Sequence, residues 1–216
     1  VNRGAVAGAR RRVLAAAAAT GLAALAPSAA APAAGTPTPG APAAGDALLE
    51  RIFADLARDA GRERRFVERR RSALFVEPVE SRGTLRFVPP STFEKTTESP
   101  PAERLRIDRD RATVQRGDAA AASVPLDAHP ALRVVADALR GALGGDLRGL
   151  RAVFVASLRG DAAAWRLELV PRDAAAARAI ERIVLAGGAG RLERIDVLER
   201  SGDATELWLL ARDGRG

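Results

Sequence analysis

Ala164-Trp165-Arg166-Leu167-Glu168-Leu169-Val170-Pro171 alternates large apolar side chains with charged ones: in an extended chain Trp165, Leu167 and Leu169 share one face, and Arg166 and Glu168 the other. A strand of this kind has a dry side and a wet side, which antiparallel sheets allow and doubly covered parallel sheets do not. The same period of two returns on both sides of the stretch, over residues 152–158, 179–185, 192–198 and 205–210. Turn chemistry separates the runs: Gly160-Asp161, Pro171-Arg172-Asp173, Gly187-Gly188-Ala189-Gly190 and Ser201-Gly202-Asp203. The glycine cluster before Arg191 lacks the GK[ST] ending of a phosphate loop and lies between two strand patterns, so it is predicted to be a hairpin turn.

Towards the N-terminus the period changes. Leu48, Leu49, Ile52, Phe53 and Leu56 recur at helical spacing, so a helix is predicted over residues 46–60, with Asp46 as N-cap and Gly61 as stop. Residues 66–76 read as a strand, 80–83 as a break, 84–88 as a strand with Leu85 and Phe87 on one face, and 92–97 as a strand resumed after Pro89-Pro90. Residues 105–108 and 112–115 form a hairpin around Arg109-Asp110. A second helix is predicted over 130–143, with Pro130 in its first turn, Leu132, Val135, Ala136, Leu139 and Leu143 at helical spacing, and Gly144-Gly145 ending it. Many short antiparallel strands and two helices make an α+β protein whose helices must cover the sheet's apolar face.

The first residues have a different purpose. Arg3, Arg10, Arg11 and Arg12 precede an apolar run over 13–25 that closes on small residues, Ser28-Ala29-Ala30-Ala31, the order of a secretory signal. Cleavage is expected near Ala30 or Ala31, making 1–31 the signal, 32–45 a flexible Pro/Ala/Gly tether and 46–216 a single domain. Arg11-Arg12 leaves both the general and the twin-arginine export routes open. The full chain carries 34 basic and 27 acidic residues, a net of +7; the signal removes four arginines and no acids, leaving 30 against 27, a net of +3. Nucleic acid is therefore not an expected partner. There is no cysteine, hence no disulfide, no thiolate site and no lipidation cysteine.

Catalytic groups are not assembled by any motif. His129, the only histidine, stands before a proline at a helix start, and one histidine without cysteine gives no zinc set. The acids interleave with arginines, as on a solvated face, and no spacing positions a carboxylate pair. The expectation is a protein that is not an enzyme and takes no cofactor or metal. Phe66, Leu85, Phe87, Phe93, Phe154, Trp165, Leu167 and Trp208 all fall on predicted strands; periodicity alone leaves open whether they form an ordinary core or line an apolar pocket for a lipid.

The order of motifs adds to this. Phe66-Val67-Glu68, the run from Leu74 through Glu77-Pro78, Ser81-Arg82-Gly83-Thr84-Leu85-Arg86-Phe87 and Pro89-Pro90, and then Phe93-Glu94-Lys95, resembles the N-terminal region of LolA-type outer-membrane lipoprotein carriers. Leu143-Gly144-Gly145-Asp146-Leu147, Leu150 with Phe154, Trp165 to Pro171, Ile183 with Gly187, and Gly202-Asp203-Ala204-Thr205 are similar to the divergent branch of that family. The resemblance implies a strongly curved antiparallel sheet, an unclosed half-barrel, with helices as a lid over an apolar cavity. It further implies a monomeric periplasmic carrier that takes an acylated lipoprotein or other lipid cargo from an inner-membrane transporter or exporter towards an outer-membrane acceptor. A periplasmic interaction or lipid-sensing module of the same fold is the alternative. Carried over by position, Phe66, Leu85, Phe87 and Phe93 line one cavity wall, Trp165, Leu167 and Leu169 another, and Leu132, Val135 and Leu139 the inner face of the lid. In one respect the sequence departs from the family: Pro89 stands where LolA proper has a latch arginine, so the latch is absent or relocated.

Overall fold

The computed structural model describes residues 44–73, 77–99 and 101–211, all within one compact unit; the signal and residues 32–43 of the tether lie outside them. In chain order the elements are α1 (Ala44–Arg58), β1 (Arg64–Arg71), β2 (Val79–Val88), β3 (Thr92–Ser99), β4 (Glu103–Asp108), β5 (Arg111–Arg116), β6 (Ala122–Pro125) and a 3-10 turn at Leu126–Ala128. Then follow α2 (Pro130–Gly144), α3 (Leu147–Val153), β7 (Phe154–Gly160), β8 (Trp165–Pro171), a one-turn α4 (Ala174–Ala177), β9 (Ile180–Gly188), β10 (Arg191–Glu199) and β11 (Ala204–Leu209). Among the described residues no helix is long and apolar enough to cross a membrane.

All eleven strands join one antiparallel sheet in the order β6-β5-β4-β3-β2-β1-β11-β10-β9-β8-β7. The edges β6 and β7 do not pair, so the sheet stays unclosed. Laid flat, eleven strands about 4.8 Å apart would be about 48 Å wide, whereas the 15-residue helices α1 and α2 are each about 22 Å long. Yet Ile107 and Ala112 towards one edge and Leu167 and Leu169 towards the other are at most 1% exposed. So wide a face can be buried under so little helix only if the sheet curls around it. Register shifts at Arg82/Gly83, Leu192/Arg194 and Leu198/Glu199 mark bulges, which sharpen local twist. Helix α2 packs against β2 and β3 on one side and β9 and β10 on the other.

The structure corrects several boundaries. Residues 80–83 are not a break but part of β2, paired with β1 throughout. Their polar side chains misled because the strand's far end is wet on both faces. Gly83 is required there: a Cβ would lie 1.8 Å from the Thr96 carbonyl oxygen. The first strand ends at Arg71, and residues 74–76 of its predicted range lie outside the described residues. There are more helices than two. The short α3 takes residues 152 and 153 from the strand predicted there; Asp146 caps it, accepting from Gly149 N at 2.8 Å. Strand β6 was not foreseen. The hairpins at Arg109-Asp110 and Ala189-Gly190 form as expected, with Arg109, Ala189 and Gly190 at positive φ.

Substituting Gly83→Ala is expected to destabilise the fold by about 3 kcal/mol, because backbone must move. Gly202→Ala, at φ 89° with nothing within 4 Å, should cost only about 1 kcal/mol. Urea unfolding of the two variants checks this; equal losses would show that conformation alone, not close approach, fixes Gly83.

Candidate functional site

The alternation along each strand sends one set of side chains to the concave face. Phe66, Leu85, Phe93, Trp165, Leu167 and Leu169 meet there in a single hydrophobic cluster and are 0–3% exposed. Phe87 is buried as well, but it sits at the margin, beneath the helices. The two predicted walls are thus brought onto one face, in a packed interior.

The lid differs from its prediction in an instructive way. On α2 the buried residues are small: Val134, Ala138, Gly141 and Ala142 run along one side and Ala136 along the other. At 100° per residue, Leu132, Val135, Leu139 and Leu143 lie between these rows, within about 80° of one another. They touch the core yet remain only half-buried. Small residues bring the helix down onto its neighbours, while the large apolar stripe between them keeps accessible surface.

Helices α1, α2 and α3 meet β2 at a groove of about 580 Å³ lined by Ala57, Phe87, Pro89, Pro90, Gly144 and Leu150, among others. Gly144 allows the contact with Phe87: a Cβ would come within 2.9 Å of the ring. Pro89-Pro90, on the lining of this groove, is joined by a cis peptide bond. Arginines tie the helices down. On α2, Arg140 Nη1 donates to the Arg109 carbonyl oxygen in the β4–β5 turn at 2.8 Å. Arg64, only 8% exposed on β1, holds Asp59 just after α1 at 2.8 Å and reaches the Leu192 carbonyl of β10 at 3.4 Å. Asp46 in the first turn of α1 pairs with Arg151 of α3 at 2.5 Å.

One titratable group is perturbed at this lid. Burial raises the pKa of Asp137 above the ordinary carboxylate value, although Arg140 and Arg133 pull the other way. His129 is exposed and makes no side-chain cap. Among the described residues no group of three His, Cys, Asp or Glu side chains could hold a metal ion.

Sequence reasoning missed the polar end of the concave face. Beyond Phe66, β1 places Glu68 and then Arg70 on that face, and Glu68 pairs with Lys95 of β3. Lys95 also lies over the Phe66 ring, 5.0 Å from its centroid. The available signal was that Lys95 is the sole lysine in a chain that otherwise uses arginine.

The fold and site define a helix-lidded, unclosed antiparallel half-barrel with one apolar face turned inward. The chain belongs to the family described as outer membrane lipoprotein carrier protein LolA-like, whose model matches residues 39–214. A sequence comparison with curated proteins finds no match. Similar solved structures include the LolA superfamily protein NE2245 from Nitrosomonas europaea, at 11% identity and TM-score 0.44, covering 79% of this chain and 94% of that one. MucB is similar at 13% identity and TM-score 0.43, over 80% of this chain and 61% of its own. LprF from Mycobacterium bovis is similar at 14% identity and TM-score 0.38, over 78% and 94%.

Because the folded state raises the pKa of Asp137, it binds that proton more tightly than the unfolded chain does. Its contribution to stability is greatest below the unfolded value and is lost as pH rises through the folded value. Asp137→Asn is therefore expected to gain on wild type as pH is raised from 4 to 7. Thermal melts across that range check the sign; a variant that loses ground instead would make the arginine pairs the larger effect.

Proposed function

We propose that the protein is a periplasmic, cofactor-free carrier that holds the acyl chains of a lipoprotein or another acylated molecule noncovalently between α2 and the concave face of the sheet. It would take this cargo from an inner-membrane transporter and release it towards the outer membrane. The observation that carries the reading is the half-buried stripe of Leu132, Val135 and Leu139 facing a continuous apolar sheet surface. Each methylene removed from water contributes about 0.8 kcal/mol, so a sixteen-carbon chain gains about 12 kcal/mol from a site of this kind. Such a cargo does not cross water unshielded. Release requires the same site to yield, and a lid fixed by a few polar ties can shift between closed and open states when a membrane binds the open one better. Membership of the LolA-like family supports the same reading, as does the signal-like N-terminus.

The choice of test residues follows from burial. Leu85 and Leu167 are so enclosed that a charge there would report on folding. Leu139→Glu and Val135→Glu, on the half-buried stripe, should keep the fold and lower uptake of a fluorescent acyl probe at least tenfold. Val170→Glu, at an exposed convex position, should leave uptake unchanged. Circular dichroism controls for folding, and native mass spectrometry of protein taken from its own periplasm looks for bound lipid. A protein that is empty there and also refuses the probe would sink the carrier reading.

A further inference from the structure

The concave face is graded. Its centre is apolar and closed by Phe66, Leu85, Ile195 and Leu207. Next come half-buried Leu105 and Val197, cross-strand neighbours of Lys95 and Thr205 respectively. Beyond these opens a polar groove of about 420 Å³, within the size range of ligand sites. Most charges in it are already engaged: Lys95 with Glu68, Arg116 with Glu103 at 2.8 Å, Arg71 with Glu206 at 2.9 Å, and Asp203 Oδ1 with the Ala73 amide at 3.2 Å. Two are not. Among the described residues, the guanidinium of Arg70 on β1 and the carboxylate of Glu199 at the end of β10 line this groove with no side-chain hydrogen bond or ion pair.

We infer that this groove is a headgroup site for a zwitterionic amphiphile of the phosphoethanolamine class, with the phosphate on Arg70 and the ammonium on Glu199. The assignment rests on the acyl-chain reading above, since the chains of such a lipid would run past Leu105 and Val197 into the apolar centre. A guanidinium suits a phosphate because its fork of donors matches the phosphate oxygens, and a carboxylate suits an ammonium by charge. A purely anionic head would satisfy Arg70 but face Glu199 and the acidic groups behind it. A head without charge would leave both groups unanswered. The Glu68–Lys95 pair, with side chains 7% and 18% exposed, marks the boundary between groove and core without presenting net charge to the ligand.

The test uses the folded mature protein and probes of equal chain length: lysophosphatidylethanolamine, lysophosphatidylglycerol and monoacylglycerol, with free phosphoethanolamine as the chainless head. The ethanolamine lipid is expected to bind about tenfold tighter than the other two acylated probes, the scale of one hydrogen-bonded charge contact. Glu199→Gln should abolish its advantage over the glycerol phospholipid, and Arg70→Ala should reduce it to the level of monoacylglycerol. Both sites are accessible, so the variants should fold. Equal binding of all three acylated probes, or unchanged discrimination in both variants, would overturn the headgroup assignment alone. Free phosphoethanolamine binding as tightly as the lipid would overturn the lipid as ligand. If no acylated probe binds, the acyl-chain reading falls, and this assignment falls with it.

Discussion

Pairing every strand antiparallel while keeping alternate side chains apolar over the middle of the sheet forces the central part of one face of an eleven-stranded sheet out of water. A sheet this wide has no second sheet to pack against, and its helices are too short to cover it flat. Curling solves the problem by turning the face on itself. The edges β6 and β7 remain apart, so the interior has an open side, where the helices sit. Lid, groove and graded interior all follow from that geometry.

The helices approach closely because small residues face the contacts. Gly141 lies against Leu150, Gly144 against Phe87, and Gly145, at φ 71°, against Ala57. With so little side chain between elements, few polar ties suffice to fix the lid. Arg64 and Arg140 supply them from inside the structure: Arg140 Nη2 also lies 3.1 Å from Asp137 Oδ1, whereas Arg64 Nε is buried with no hydrogen-bond partner. An unsatisfied buried donor costs free energy, so the Arg64 tie holds α1 less firmly than a fully bonded one would. The convex face is opposite in character: register aligns Arg159, Arg166, Arg194 and Arg82 in a row interrupted by Ala186, Trp208 and Val67, with Arg194 stacked 5.0 Å from the Trp208 ring. Such a face keeps the outside of a strand-rich protein wet and charged.

How far the sequence is legible depends on whether the deciding interaction is local. Trp165, Leu167 and Leu169 announce both their strand and their face, because alternation is a property of neighbours. Pro130 and Gly145 likewise bracket α2 by local backbone chemistry. Residues 80–83 fail that test. Their place in β2 is decided by β1 on one side and by the Thr96 carbonyl on the other, contacts that no window of sequence contains. Helix α3, at seven residues with a glycine inside, is too short to show a period, and only Asp146 marked it. The candidate site divides in the same way. Its apolar residues are visible as strand-face patterns, whereas the proposed headgroup residues Arg70 and Glu199 come from strands far apart in sequence and read as ordinary solvated charges.

The gradient from Phe66 through Glu68 to Arg70 along a single strand then carries a mechanical meaning. A fully apolar interior would hold a chain but give no reason for a charged end to stop at the rim, and a fully polar one would not hold the chain. Placing the Glu68–Lys95 pair at the boundary costs desolvation that an apolar pair would avoid. Under the proposed carrier function, that cost makes sense because the boundary must stay fixed while cargo moves past it. The pair ties β1 to β3 across β2 beside Gly83, so the rim is held by the sheet itself, as the proposed carrier function with a yielding lid requires.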